Sequence, residues 1–571
     1  DGEIGWWAQG MPEGGRYLVG WLVDGGAVYL TVVSHRQGDD PLRTAREVLE
    51  EARKLGVDFL FGEHVGWWHG FWEKSFISIP DGRLEDLWYI ELYKLASCSR
   101  PGKLPVTLQG VWTVDGGLPP WSGDYHADMN VEESYWGVYP SNHLELGYPL
   151  YEMYWRTLPR WRKMCRKFFG VEGAHVWCAH ADDGSPVPGW YTVNLWPGNG
   201  AWIAHLFWLH WLYSRDVEFL RKRAFPFMRE FLNLYLGILE KGDDGGYHIP
   251  LSTSPEWLDN RGEAWGKDTT CDLGLCRFLL KACIEAAQVL GEGDGEVQRW
   301  KEVLENLAPY PQGPEGLYIM EGRPLTESHR HFSHLMPIHP LGLLTVEGDE
   351  EERELISRNI STLRRRGFGE WTGWSFPWAS LIASRCGMGN MAHMMLKLYM
   401  DAFITENTFH INGDPKHTGT SAFTYRPMTL EAGFCSIASV CEMLLQSWDR
   451  VIRVFPAVPD YWHDAYFADL RAEGAFLVTA RLKDGKVTFV EVKSEAGGEC
   501  RMRNPFGGPA ELTALGSGGR RALEGDMLRF PTQPGGKYRL VPEGAVSEED
   551  LRPPDFGGEG HWFGVKHRAR F

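Results

Sequence analysis

The sequence has no excess of positive charge, no long apolar run and no CxxC pair of cysteines. Its 58 Lys and Arg stand against 76 Asp and Glu, a net charge of −18. A phosphate backbone would meet no basic surface, which argues against nucleic acid as a partner. No uninterrupted apolar stretch reaches the ~18 residues of a membrane-spanning helix. The richest, Ala201 to Tyr213, is short and carries His205 and His210, so no membrane partner is expected. The ten Cys are scattered without a CxxC, which fits neither a disulfide scaffold nor a zinc site. Neither a metal nor another cofactor is expected. Most of these Cys fall in apolar helical patterns, where a thiol behaves as a small hydrophobe. That usage leans toward a reducing compartment and favours the cytoplasm slightly over secretion. The chain opens on Asp1 rather than Met and shows no signal peptide. The expectation is that a leader has been removed or that this is a fragment.

At 571 residues the chain is too long for one simple core, and two or three domains are expected. Trp is abundant, with 27 residues. Such enrichment fits carbohydrate handling, and equally a large helical core. Residues 1–80 read as a partial β domain and linker. Strand-like runs cover Arg16 to Leu22 and Gly26 to Val33, a helix covers Pro41 to Lys54, and Gly66 to Phe76 is again strand-like and aromatic. From about Leu84 the apolar period becomes helical. About twelve helices are expected up to Ser447, starting near residues 84, 134, 150, 200, 216, 268, 295, 333, 349, 374, 389 and 431. Consecutive helices with polar loops between them suggest an (α/α)6 barrel over 81–454, with an irregular helical array as the competing architecture. After Pro459 the period changes to two, and Asp484-Gly485 is a hairpin signal. A C-terminal β-sandwich is expected over 455–545, then a polar tail over 546–571. The fold class is thus mainly α, an (α/α)6 barrel flanked by β regions.

Four stretches could carry chemistry. In Leu104 to Pro149, the residues Asp124, His126, Asp128 and Asn130 alternate with apolar ones, so in an extended segment they share a face. Trp121, Tyr125, Tyr135 and Trp136 add flat apolar surfaces. Polar groups among aromatic walls suit a sugar ring; the plainer reading is a well-packed aromatic loop. In HIPLSTSPEWLDN, Pro255 keeps Glu256 out of a helix interior. A carboxyl beside the Trp257 indole can be desolvated and its pKa raised, as a general acid requires. A helix first-turn residue favoured by the dipole is the alternative. In HRHFSHL, His329, Arg330, His331 and His334 offer donors for sugar hydroxyls; HxH alone is weak as a metal signal. In TFHINGDPKHTG, Asn412 to Pro415 signals a turn with Asp414 inside it. Glu431 then opens an amphipathic helix, where dipole complementarity is the structural alternative. The loops Asn194 to Trp202 and Gly369 to Trp378 precede helices and serve equally as tight connections.

Together these segments resemble glycoside hydrolase family 95, the inverting α-L-fucosidase and α-L-galactosidase family. The matching segments are, in order, SRPGKLPVTLQGVW, PPWSGDYHADMN, GNGAW, STSPE, HRHFSHL, GWSFPWA and EMLLQS. The resemblance implies an (α/α)6 barrel between β domains, with an N-terminal sandwich much longer than what precedes residue 80 here. It implies that Glu256 is the general acid and that His126, Arg330, His331 and Trp202 contact sugar. The family's water-activating NxN pair becomes Asp128 and Asn130. Its general base is an Asp in an FQIDGNFG segment, eleven residues before the Glu of EMLLQS, and counting back from Glu442 gives Glu431. FHINGD at Phe409 also resembles that segment, with Asn412 in the Asp position. Glu431 is preferred, Asp128 is second, and Asp414 is a further candidate; Trp121 and Asp414 complete the expected substrate contacts.

The resulting expectation is an inverting exo-glycosidase acting on an oligo- or polysaccharide with a terminal α-L-fucosyl, α-L-galactosyl or related sugar. Two alternatives differ in class. A polysaccharide lyase would use Tyr125 or a His of the 329–334 cluster against a uronic acid, an anion that the net charge does not help. A non-catalytic carbohydrate-binding protein would give no product at all.

Overall fold

The computed structural model describes residues 4–554, except 12–13, 114–115, 517 and 545–546. The chain divides into two compact units, Asp1–Lys74 and Ser75–Phe571.

In the first unit the strands Ile4–Gly10, Arg16–Asp24 and Ala27–Ser34 form an antiparallel sheet. The helix Pro41–Leu55 is capped by the Asp40 carboxylate and started by Pro41 at its first position. Its Ala45 packs with Leu18 and Val33 from one face of the sheet. The expected strand over Gly66 to Phe76 is instead the end of a helix, Val57–Trp72. Aromatic residues favour strands only as a weak prior. Here they stack at i, i+4 spacing along a helix face, Trp67 on Phe71 at 5.4 Å and Trp68 on Trp72 at 5.7 Å. The first boundary also falls earlier than 80, because Phe76–Ser78 pairs with the strand Ala465–Ala472 of the second unit.

The second unit is mainly helical and alternates outer and inner helices around a ring. The outer helices are Gly82–Cys98, Tyr148–Phe169, Phe225–Ile238, Asp294–Asn306, Glu350–Arg366 and Gly389–Phe403. Five inner positions hold Asn130–Trp136, Gly198–Ser214, Thr270–Leu290, Ser375–Arg385 and Glu431–Leu444. The sixth, near residue 333, is only the short turn Ser333–Leu335, because Pro337 and Pro340 deny a longer helix. Sequence decides which ring a helix joins. GNGAWIAHLFWLHWLYS is apolar all round and almost wholly buried, as is every residue of EAGFCSIASVCEML. Glu350–Arg366 has one buried face, three Glu in its first turn and three Arg in its last, each complementing the helix dipole. The ring closes where the first outer helix meets the last inner one. At Gly433 an added Cβ would run into the buried Glu91 carboxylate, which would have to move from Lys94 to admit it. Leu430 N–H donates to Leu108 O (2.9 Å), and Lys94 Nζ donates to Thr408 O (2.8 Å), across the same seam.

The C-terminal β domain is a seven-stranded antiparallel sheet that includes Phe76–Ser78 at its edge, with a two-stranded ribbon, Gly498–Arg503 on Met527–Thr532. Asp484 and Gly485 both take positive φ, as the expected hairpin turn requires. Of the expected tail 546–571, residues 546 and 555–571 lie outside the described residues. Within 547–554, the turn Glu549–Leu551 is tied to the sheet by Lys483 Nζ on Asp550 (2.9 Å).

Candidate active site

Six loops run from an outer to an inner helix, and all six reach one cavity of about 320 Å3. The first brings Trp121, His126, Asp128 and Asn130, and the second brings Trp190. Glu256 and Asp259 come on the third, and Arg330 and His331 on the fourth. The fifth supplies Thr372 and Trp374, the sixth Asn412, Phe423, Tyr425 and Thr429. The volume lies at the lower end of the range for small-molecule sites. Polar groups and five aromatic side chains line it together.

Local structure explains each placement. Tyr125–His126 pairs with Ala179–His180, and Ala127 N–H donates to Cys178 O (2.8 Å), which holds His126 and Asp128 extended. Glu256 follows Pro255 in left-handed backbone (φ 50°). Its loop is pinned to an inner helix by Asp272, whose carboxylate accepts from Tyr235 Oη (2.7 Å), Ser252 Oγ (2.6 Å) and Thr269 Oγ1. Asp272→Ala would strand three buried hydroxyls and is expected to cost about 3 kcal/mol or more. An unchanged urea midpoint would remove Asp272 as the anchor. Ser254 Oγ meets Ser333 Oγ at 2.5 Å, joining the third loop to the fourth.

At the centre, Glu256 Oε2 accepts from Arg330 Nε (2.8 Å), Arg330 Nη2 and His331 Nε2 (3.0 Å). Burial pushes the Glu256 carboxyl up, but the Arg330 charge and the His331 bond outweigh burial and hold it well below the usual carboxylate range. The effect expected of Trp257 does not set this residue's charge; Trp257 lies edge-on to His329 instead. Asp128 behaves oppositely. Burial lifts its pKa, helped by the neighbouring Glu256 charge and opposed by His126, His331 and Arg330. The carboxyl oxygens of Asp128 and Glu256 lie within 4.8 Å of one another. His126 Nε2 stands 3.7 Å from Asp128 Oδ1, and its Nδ1 stands 3.4 Å from Asp124. Burial disfavours charge on this ring, yet the acidic neighbours Asp124 and Asp128 outweigh it and hold the pKa well above normal.

Glu431 is the first residue of its helix and does not line the main cavity. It borders a hollow of about 10 Å3 with His126, Asn130 and Ser134, roughly the room of one water. Its Oε1 accepts from Thr429 Oγ1 (2.7 Å). Burial raises its pKa to about 7, against the pull of Thr429 and Asn130. Two expected contacts lie elsewhere. Trp202 is fully buried among Trp136, Trp196 and Trp378. Asp414 Oδ2 accepts from Thr418 Oγ1 (2.8 Å), Gly419 N (3.1 Å) and Thr420 N (3.3 Å), so it braces its own turn. Trp190, Asp259, Thr372, Trp374 and Tyr425 are cavity residues not singled out from sequence. Loops rich in Trp and Gly were the available signal for Trp190 and Trp374.

Two donor groups could be asked to hold a metal, His126–Asp128–Cys178 and Asp128–Glu256–His331. In the second, the Arg330 guanidinium already occupies Glu256 Oε2. In the first, burial pushes the Cys178 thiol far up, away from the thiolate a metal needs. Both groups fit a hydrogen-bonded acid–base cluster better than a cation site.

Residues 80–444 match the glycosyl hydrolase family 95 catalytic domain, and residues 446–540 match that family's C-terminal domain. The chain belongs to glycosyl hydrolase family 95. Among its relatives is alpha-L-fucosidase 2 of Arabidopsis thaliana, 28% identical over 456 residues, covering 74% of this chain and 51% of that protein. Another is the probable alpha-fucosidase A of Aspergillus niger, 23% identical over 519 residues, covering 79% and 61%. The chain therefore spans only about half to three-fifths of the length of the curated relatives it matches. In fold it is similar to a putative kojibiose phosphorylase from human microbiome, with a TM-score of 0.63 and 11% identity, covering 93% of this chain and 79% of that one.

Proposed function

We propose that the chain is an exo-glycosidase that hydrolyses a terminal α-L-fucosyl, α-L-galactosyl or related sugar from an oligosaccharide with inversion at the anomeric carbon. The observation that carries this reading is the cavity of about 320 Å3 lined by Glu256, with a second carboxyl, Glu431, in the small hollow that shares His126 and Asn130 with it. Trp121, Trp190 and Trp374 offer apolar faces for the C–H side of a pyranose, while His126, Arg330 and Asn412 offer partners for its hydroxyls. The fucosidase names of the two relatives support the sugar class.

Glu256 gives its proton to the glycosidic oxygen as the C1–O bond breaks. Water attacks C1 from the opposite side and loses its proton toward Glu431. Asp128 suits that second role less well. Inverting carboxyls stand roughly 6.5–9.5 Å apart so that water fits between them, and Asp128 approaches Glu256 within 4.8 Å. Glu431, with a pKa near 7, is poised to accept a proton at neutral pH.

A screen of nitrophenyl glycosides, with α-L-fucoside and α-L-galactoside first, tests the activity. Proton NMR of the first-formed anomer tests the stereochemistry. Inverted sugar is the expected product. Retained anomer would overturn the two-carboxylate geometry, an unsaturated product would indicate a lyase, and no product would indicate a binding protein.

A further inference from the structure

We propose that Asp128 is the proton carrier for Glu256: in the empty site the two carboxyls share one proton, it resides on Asp128, and it passes to Glu256 when sugar hydroxyls draw Arg330 away. This rests on the glycosidase reading and adds how the acid acquires its proton.

The hydrogen bonds divide the two carboxyls. Glu256 Oε2 collects three N–H donors, two from Arg330 and one from His331, which is the environment of an anion. Asp128 is 1% exposed, and its Oδ2 is enclosed with no hydrogen-bond partner among the described residues. Its Oδ1 faces His126 Nε2 at 3.7 Å, beyond hydrogen-bond reach. A bare buried carboxylate within 4.8 Å of a second anion is the costlier of the two to ionise, so the proton settles on Asp128. The other groups facing it divide, the acids opposing its ionisation and the bases favouring it. Asp124 and Glu132 on its own segment and Cys178 on the paired strand are acids. His126, His331 and Arg330 are the bases, and Arg330 and His331 are already committed to Glu256.

The transfer balances. Protonated Asp128 and ionised Glu256 become ionised Asp128 and protonated Glu256. Glu256 then protonates the departing oxygen, water adds to C1, and its proton leaves through Glu431 to solvent, from which Asp128 is reloaded. His126 stands beside Asp128 to stabilise the anion while the proton is away.

Asp128→Asn keeps the shape and removes the carrier. With a glycoside of poor leaving group, kcat is expected to fall about 10-fold or more, and the alkaline limb of the pH profile to move about one unit toward acid. An activated aryl glycoside should lose less. Infrared difference spectra need no activity. Wild type minus Asp128→Asn at pH 7 should show the loss of one protonated-carboxyl band. In Glu256→Gln, where Arg330 is freed to face Asp128, that band should titrate away at lower pH than in wild type, which supplies a second test should Asp128→Asn fail to fold. A superimposable pH profile, or a protonated-carboxyl band untouched by both substitutions, would overturn the proposal. A wild-type chain that cleaves no glycoside would instead sink the glycosidase reading and leave the infrared test standing.

Discussion

Glu256→Gln is expected to lower turnover of glycosides with poor leaving groups by about 10²–10⁴-fold, the usual contribution of a general acid. The amide matches the carboxyl in size but has no acidic proton to give. An activated aryl glycoside, whose leaving oxygen needs little protonation, should escape much of the loss. Stability should fall too, because Arg330, mostly buried, loses its anion; removal of one partner of such a pair costs about 1–3 kcal/mol at a site that keeps some solvent access. Near-ultraviolet circular dichroism should remain native. Natural-substrate turnover close to wild type would take Glu256 out of the chemistry and leave it as a loop-to-loop brace.

Glu431→Gln makes a double prediction. If Glu431 is the base, turnover falls about 10²–10⁴-fold even with activated leaving groups, since attack by water is impaired whatever departs. In wild type the acidic limb of kcat should lie near pH 7, where Glu431 ionises, and that limb should vanish in the variant. The second effect is on stability. Burial raises the Glu431 pKa from 4.5 to about 7. The folded state therefore binds the proton more tightly than the unfolded one, and the associated stability is full below the unfolded pKa and lost as pH rises through the folded value. A shift of that size corresponds to about 3 kcal/mol lost between pH 4 and pH 8. Gln carries no such penalty. The variant should gain on wild type as pH rises, so its advantage in denaturant midpoint should be larger at pH 8 than at pH 5. A constant difference across that range would show that Glu431 carries the same charge folded and unfolded, and so that burial does not raise its pKa.

Much of this site was legible because the motifs are local and the chemistry is concentrated in them. His126 and Asp128 sit two apart in an extended segment, Arg330 and His331 are adjacent, and Pro255 marks Glu256 as a loop residue. What the sequence could not convey is which atoms meet. The pairing of Glu256 with Arg330 joins residues 74 apart and reverses the charge state that Trp257 suggested. Trp202 lies in a helix apolar on every side, where periodicity cannot tell the ring interior from the cavity. Asp414 obeys its turn signal and nothing more. Asn412, weighed as an alternative alignment, does reach the cavity, while Glu431, which holds the ungapped frame, lies one layer behind it. The end of the helix Val57–Trp72, from Gly66 onward, reads as strand because aromatic composition and helical stacking call on the same residues.

The seam at Gly433 has a consequence for the order in which the molecule matures. Every wall of the cavity arrives on a different helical hairpin, and the last of them is fastened to the first by bonds from Leu430 to Leu108 and from Thr408 to Lys94. Partners more than 300 residues apart form late, since loop closure must be met before such contacts reward it. A chain emerging from the ribosome has Glu256, Arg330 and Asp128 in hand long before Glu431 appears. Until the final inner helix slides past Glu91 the cavity lacks its last wall. The cavity is therefore completed in a single late step, and protection of the Leu430 amide against hydrogen exchange should appear during refolding only after helical content has plateaued.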